Sequence, residues 1–204
     1  LPSRYRIAQP SWSYDGSKMA FVLLRQNRCE LWVADLTALR VFCVSQGRAL
    51  QGAAGFDFCW SGDGKALLAL MVAYPTKRSG GAQSPSPVVW EHSGGVASSR
   101  TYQDLLKTEE DCQQLERLFS SIPCRVPLDG SDIEELAPAG LYYQMQLSPD
   151  GQHLLLDQIC RPFSFSVPLQ HFPRRSFVRH LQTQQQWDIR YLPLHENISP
   201  LFDS

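Results

Sequence analysis

Trp60-Ser61-Gly62-Asp63-Gly64-Lys65-Ala66-Leu67-Leu68-Ala69-Leu70-Met71-Val72 joins a turn signal to seven consecutive apolar residues. In Ser-x-Asp-Gly the Asp side chain accepts hydrogen bonds from the local backbone, and the Gly takes a positive φ without steric cost. The tetrapeptide therefore reads as a tight link between two strands. The same phrase stands twice more, as Ser13-Tyr14-Asp15-Gly16 after Trp12 and as Ser148-Pro149-Asp150-Gly151 after Leu147. Met19-Ala20-Phe21-Val22-Leu23-Leu24 follows the first copy and His153-Leu154-Leu155-Leu156 follows the third. Recurrence of one turn-plus-strand unit predicts an architecture of repeated antiparallel sheets.

The spacing is uneven, 48 residues from Ser13 to Ser61 and 87 from Ser61 to Ser148. Blades of β-propellers run to ~40–50 residues, so the long interval reads as one blade carrying an insertion. The excess falls at about 74–121. Its first part, 75–96, is rich in Ser, Gly and Pro and reads as a loop. Its second part, 101–119, reads as a helix with Thr101 and Asp104 as a weak capping box, and with Leu105, Cys112, Leu115 and Phe119 on one face. Further strands are expected at 30–36, where apolar and polar residues alternate, and at 40–45, 124–130 and 177–181. The expected fold class is all-β: a partial β-propeller of roughly two to three blades plus a remnant, with one loop-helix insertion. Its blades fall at about 9–52, 53–139 and 140–186, and a further one starts at 187–204, all within one domain over 1–204. Propellers close with ~4–8 blades, so the chain reads as part of a longer one.

Composition narrows the function classes. The chain has 204 residues, 19 basic against 20 acidic, which gives no electrostatic case for nucleic acid or an anionic membrane. No apolar run approaches the ~20 residues of a membrane span. Cys29, Cys43, Cys59, Cys112, Cys124 and Cys160 follow no Cys-x-x-Cys spacing and read as free thiols in a reducing compartment. No metal site and no cofactor is expected. Trp12, Trp32 and Trp60 stand at strand positions and read as packing between blades.

Several runs resemble one known family. Val88-Val89-Trp90-Glu91 and Arg100-Thr101-Tyr102-Gln103-Asp104-Leu105-Leu106-Lys107 look like the inserted segment of the plastid-type glutamyl endopeptidases, a branch of the prolyl oligopeptidase family of serine peptidases. Arg161-Pro162-Phe163-Ser164-Phe165, Val167-Pro168, Phe172-Pro173-Arg174-Arg175 and Leu192-Pro193-Leu194 fit the same family. The resemblance implies a two-domain enzyme in which a propeller covers an α/β-hydrolase domain holding Ser, Asp and His. It places this chain in the propeller, with the hydrolase domain absent from it. The sequence agrees, since no Gly-x-Ser-x-Gly elbow occurs and no catalytic residue can be assigned. The implied function is to restrict access of peptide substrates to a downstream hydrolase domain that cleaves by acyl transfer, after Glu. The implied location is the plastid stroma, with the cytoplasm as the other reading. A non-catalytic propeller used as a binding scaffold shares the same blade pattern and stays open.

Other signals have plainer readings. Gly62-Asp63-Gly64 lacks the third Gly of a dinucleotide fingerprint, and Asp15, Asp63 and Asp150 lack the neighbouring ligands of a calcium loop, so all three aspartates read as turn caps. Glu109-Glu110-Asp111 reads as a solvated helix face rather than an anchor for a peptide amine, and Arg174-Arg175 as an exposed turn. Arg161 and Arg100 are the candidate substrate-binding residues, because a guanidinium neutralises a substrate carboxylate bidentately. A structural salt bridge between blades is the competing reading of Arg161.

Overall fold

In the computed structural model, residues 6–25, 28–52, 55–73 and 105–195 are described. Twelve strands form three four-stranded antiparallel sheets, each a simple meander. The first contains β1 (Arg6–Trp12), β2 (Lys18–Leu24), β3 (Cys29–Asp35) and β4 (Arg40–Cys43). The second contains β5 (Phe58–Trp60), β6 (Ala66–Val72), β7 (Ser121–Pro127) and β8 (Glu134–Glu135). The third contains β9 (Leu141–Leu147), β10 (His153–Ile159), β11 (Arg174–His180) and β12 (Gln186–Leu192). The all-β propeller expectation holds, and the three sheets are three blades.

The apolar run of β6 is explained by its position. Leu67, Ala69 and Met71 pack with Ala20, Val22, Leu31 and Val33 of the first blade. The alternate residues Leu68 and Leu70 pack with Met145, Leu154, Leu156 and Phe177 of the third. A strand covered on both faces has no solvent side to keep polar, so the period-2 alternation disappears. Two hydrogen bonds reinforce these contacts. Trp60 Nε1 donates to the Ser11 carbonyl at 3.1 Å, and the Asp57 carboxylate accepts the Met145 N–H.

The three Ser-x-Asp-Gly copies link β1 to β2, β5 to β6 and β9 to β10 with the same set of hydrogen bonds. In the second copy the Ser61 hydroxyl donates to Asp63 at 2.6 Å and accepts the Ala66 N–H at 2.9 Å. The Asp63 carboxylate accepts the Lys65 N–H at 3.0 Å, and Gly64 takes φ +64°. Ser13 with Asp15, and Ser148 with Asp150, repeat each of these contacts. The serine hydroxyl first, and then the backbone N–H, hold Asp15, Asp63 and Asp150 below the usual carboxylate range. Their contribution to stability is therefore present above the unfolded value of ~3.9 and is lost as pH falls through the lower folded one.

Four expectations are corrected. The helix α1 spans Glu109–Phe119, not 101–119, because Thr108 and Asp111 close a reciprocal capping box that fixes its start. Leu105 precedes it, and the Thr101–Asp104 pair lies outside the described residues. The segment Gln186–Leu192 does not open a new blade. His180 N–H bonds to the Gln185 carbonyl at 2.8 Å with Gln184 at φ +62°, so the chain returns to pair with β11 as the outer strand of the third sheet. Trp12 is 57 % exposed and packs in no core among the described residues, whereas Trp60 is buried between blades. Arg174 and Arg175 begin β11 instead of forming a turn, and Arg175 pairs with Asp188 at 2.6 Å.

In a meander, alternate connections share one end of the sheet. The three Ser-x-Asp-Gly turns therefore occupy one rim of the blades. The β6–β7 connection bearing α1 and the β10–β11 connection bearing Arg161 occupy the opposite rim. Ser61 is buried, while Ser148 is partly exposed. Ser61→Ala leaves the Ala66 N–H unpaired beside the core and is expected to cost about 1–3 kcal/mol, with Ser148→Ala costing less. Urea denaturation of the two variants checks this, and equal midpoints would contradict it.

Candidate functional site

The rim opposite the Asp-Gly turns carries a groove of about 700 Å³ between α1, the end of β10 and the segment that follows it. Its geometry begins with the docking of α1. Cys112, Leu115 and Phe119 recur at helical spacing and pack on Leu141, Ile159, Phe163, Val167 and Phe172. Phe163 and Phe172 stack with ring centres 5.3 Å apart. Both helix ends are then tied down. At the N-terminal end the Thr108 hydroxyl accepts the Asp111 N–H at 3.2 Å, and the Asp111 carboxylate accepts the Thr108 N–H at 2.9 Å. At the C-terminal end Nε2 of buried Gln51 donates to the Leu118 carbonyl at 2.9 Å and to the Ser120 carbonyl at 3.2 Å. These groups would otherwise be the orphan donors and acceptors of a helix.

Arg161 closes the arrangement. Its Nε and Nη2 donate to the two carboxylate oxygens of Glu116 at 2.7 and 3.1 Å, and Nη1 donates to Glu109 at 3.0 Å. The guanidinium also lies 4.9 Å from the centre of the Phe163 ring. Glu109 and Glu116 are seven residues apart, two helical turns, so one arginine from the β10–β11 connection reaches both. The paired guanidinium holds the Glu116 carboxyl below its usual range, and the two carboxylates push the Arg161 pKa up. Of the two sequence-stated candidates, Arg161 is thus engaged with two carboxylates on the groove wall, and Arg100 lies outside the described residues. The acidic run 109–111 is divided: Glu109 binds Arg161, Asp111 caps the helix, and Glu110 faces solvent.

Three polar side chains on the groove, Gln113, Arg117 and Gln158, escaped the sequence reading. Gln113 and Arg117 are one turn apart on α1, and the Gln158 amide nitrogen lies 2.6 Å from where a Cβ on Gly140 would stand. Nothing in their spelling separates them from ordinary surface residues. Only the fold brings them together.

Burial pushes the Cys59 and Cys124 thiols up to about 11, which keeps them protonated near neutrality. All six cysteines are unpaired, and no group of three or more His, Cys, Asp or Glu among the described residues could hold a metal ion. No helix among them is long and apolar enough to cross a membrane.

Comparison with known proteins agrees with the sequence resemblance. A protein of Oryza sativa subsp. japonica named as a probable chloroplastic glutamyl endopeptidase is 26% identical over 97% of this chain and 22% of its own length. A protein of Arabidopsis thaliana with the same name is 29% identical over 97% of this chain and 21% of its own. The chain thus spans about a fifth of the curated relatives it matches. No family model matches it. Among solved structures, a prolyl endopeptidase superposes over 90% of this chain and 22% of its own, with a TM-score of 0.54 at 14% identity. An oligogalacturonate lyase from Vibrio parahaemolyticus superposes over 94% of this chain and 42% of its own, with a TM-score of 0.53 at 11% identity. Those two likenesses show the fold alone.

Arg161→Ala is expected to loosen α1 while leaving the strands intact. Hydrogen exchange should quicken at the amides of 112–119 and stay unchanged in β6 and β10. The Glu116 carboxylate is depressed, so its part of the clamp is present above ~4.3 and fades as pH falls through the lower folded value. The difference between variant and parent should therefore vanish in strong acid. Unchanged exchange in α1 at neutral pH would contradict the clamp.

Proposed function

We propose that this chain is the propeller portion of a serine-type peptidase of the prolyl oligopeptidase family, and that it restricts access of peptides to a hydrolase domain elsewhere in the same protein. What supports the reading is the similarity to two chloroplastic glutamyl endopeptidases along 97% of the chain, insertion included. The catalytic step belongs to the hydrolase domain: a Ser attacks the peptide carbonyl, His removes its proton, and Asp orients the His. The blades contribute a rigid wall and the groove rim. The proposed specificity is cleavage after Glu, and the proposed compartment is the plastid stroma, both from the names of the relatives; the cytoplasm is the other compartment. Neither nucleic acid nor a membrane enters the reading.

Arg161 and Arg100 are the residues proposed to meet a substrate carboxylate. For Arg161 this role requires Glu109, whose side chain is 57 % exposed, to give up its contact with Nη1. The bidentate Glu116 contact can remain.

The reading is tested by incubating the purified full-length protein with paired peptides that differ only in Glu or Gln at one position. Cleavage after Glu and little after Gln is expected, together with loss of activity after treatment with a serine-directed phosphonate. No cleavage of any peptide would leave the binding-scaffold reading. In the same assay Arg161→Ala should raise KM for the Glu peptide more than for the Gln peptide, and equal losses would return Arg161 to a purely structural part.

A further inference from the structure

We propose that the groove beside α1 is a peptide-carboxylate site in which Arg117, a residue to which the sequence resemblance gives no role, is a required charged ligand beside Arg161. The inference deepens the peptidase reading and rests on it for the class of ligand. Among the described residues two cations line the groove, and they differ in how far their charge is already met. Arg161 makes three hydrogen bonds to two carboxylates. Arg117 makes no ion pair and no hydrogen bond among the described residues.

The surroundings suit an extended peptide. Gln113, one turn before Arg117 on α1, and Gln158, at the end of β10, also line the groove without a side-chain hydrogen bond among the described residues. Each amide offers both a donor and an acceptor, which is what a peptide backbone needs on either side of an anchored residue. Leu141, Ile159 and Phe163 supply an apolar floor. A concave site with an apolar floor and a few convergent polar groups is the usual form of a ligand pocket. The walls are held in place from three sides, by the capping box, by Gln51 and by Arg161. A bound peptide would therefore meet fixed walls, and the ordering cost of binding would fall mainly on the exposed Arg117 and Gln113 side chains.

A plainer account of Arg117 exists. It stands in the last turn of α1, where a cation interacts favourably with the helix dipole. That account predicts no dependence of peptide binding on Arg117, so the two can be separated. A carboxylate can come from an acidic side chain or from a peptide C-terminus, and both would satisfy the guanidinium.

The test uses the full-length protein treated with a serine-directed sulfonyl fluoride and three fluorescein-labelled peptides read by anisotropy. One carries Glu and a C-terminal amide, one carries Gln and a free C-terminal carboxylate, and one carries Gln and an amide. Tighter binding of either carboxylate peptide than of the neutral one, by about tenfold, is expected at low salt. The preference should shrink at high salt, disappear in Arg117→Ala and return in part in Arg117→Lys. Equal binding of all three peptides overturns the proposal. So does a preference that survives Arg117→Ala and is lost only in Arg161→Ala. Cleavage of Glu peptides by untreated protein, measured in parallel, reports on the peptidase reading by itself.

Discussion

The burial of β6 on both faces is the constraint from which the remaining structure follows. A seven-residue strand with side chains that alternate between two cores can exist only between two other sheets. Each buried Leu or Met contributes about 1.5–3 kcal/mol relative to leaving it in water, so exposing either face would be costly. The first and third blades are therefore conditions for the second. The register of β6 is fixed as well, because a slip by one residue would exchange the two sets of side chains between two differently shaped cores. The Ser-x-Asp-Gly turn at its start has the same effect, since the Ser61 hydroxyl can accept the Ala66 N–H in one register only.

A fixed second blade makes its long connection useful. Because β6 and β7 pair residue for residue from Ala66 with Pro127 to Val72 with Ser121, the chain between Val72 and Ser121 leaves and re-enters the sheet without disturbing it. Within the described part of that connection, α1 is held by its own contacts. For α1 these are an apolar stripe, a capping box, one glutamine and one arginine. The last two come from different connections on the same rim, so the helix is set by the geometry of the blades rather than by the sheet it interrupts.

The sequence made the blades legible through the turn phrase, because Asp-Gly and the following apolar run are local signals with local causes. It was less informative where two local signals compete. Thr101 with Asp104 and Thr108 with Asp111 both spell a capping box; the second, directly before the apolar stripe of α1, closes, and the first lies outside the described residues. A salt bridge at Arg161 was legible but its partners were not, since Arg161 lies 45 residues from Glu116 and nothing in either neighbourhood names the other. Gln51 was still less so: its partners are backbone carbonyls, which every residue has. The outer strand β12 lacked the turn phrase that announced the inner strands, and pairing with β11 alone identifies it.

Gln51 has a mechanical consequence. It lies on the connection between the first and second blades, its own N–H bonds to the Leu70 carbonyl of β6, and its side chain holds the last carbonyls of α1. The wall of the groove is thereby fastened to the strand on which both neighbouring cores depend.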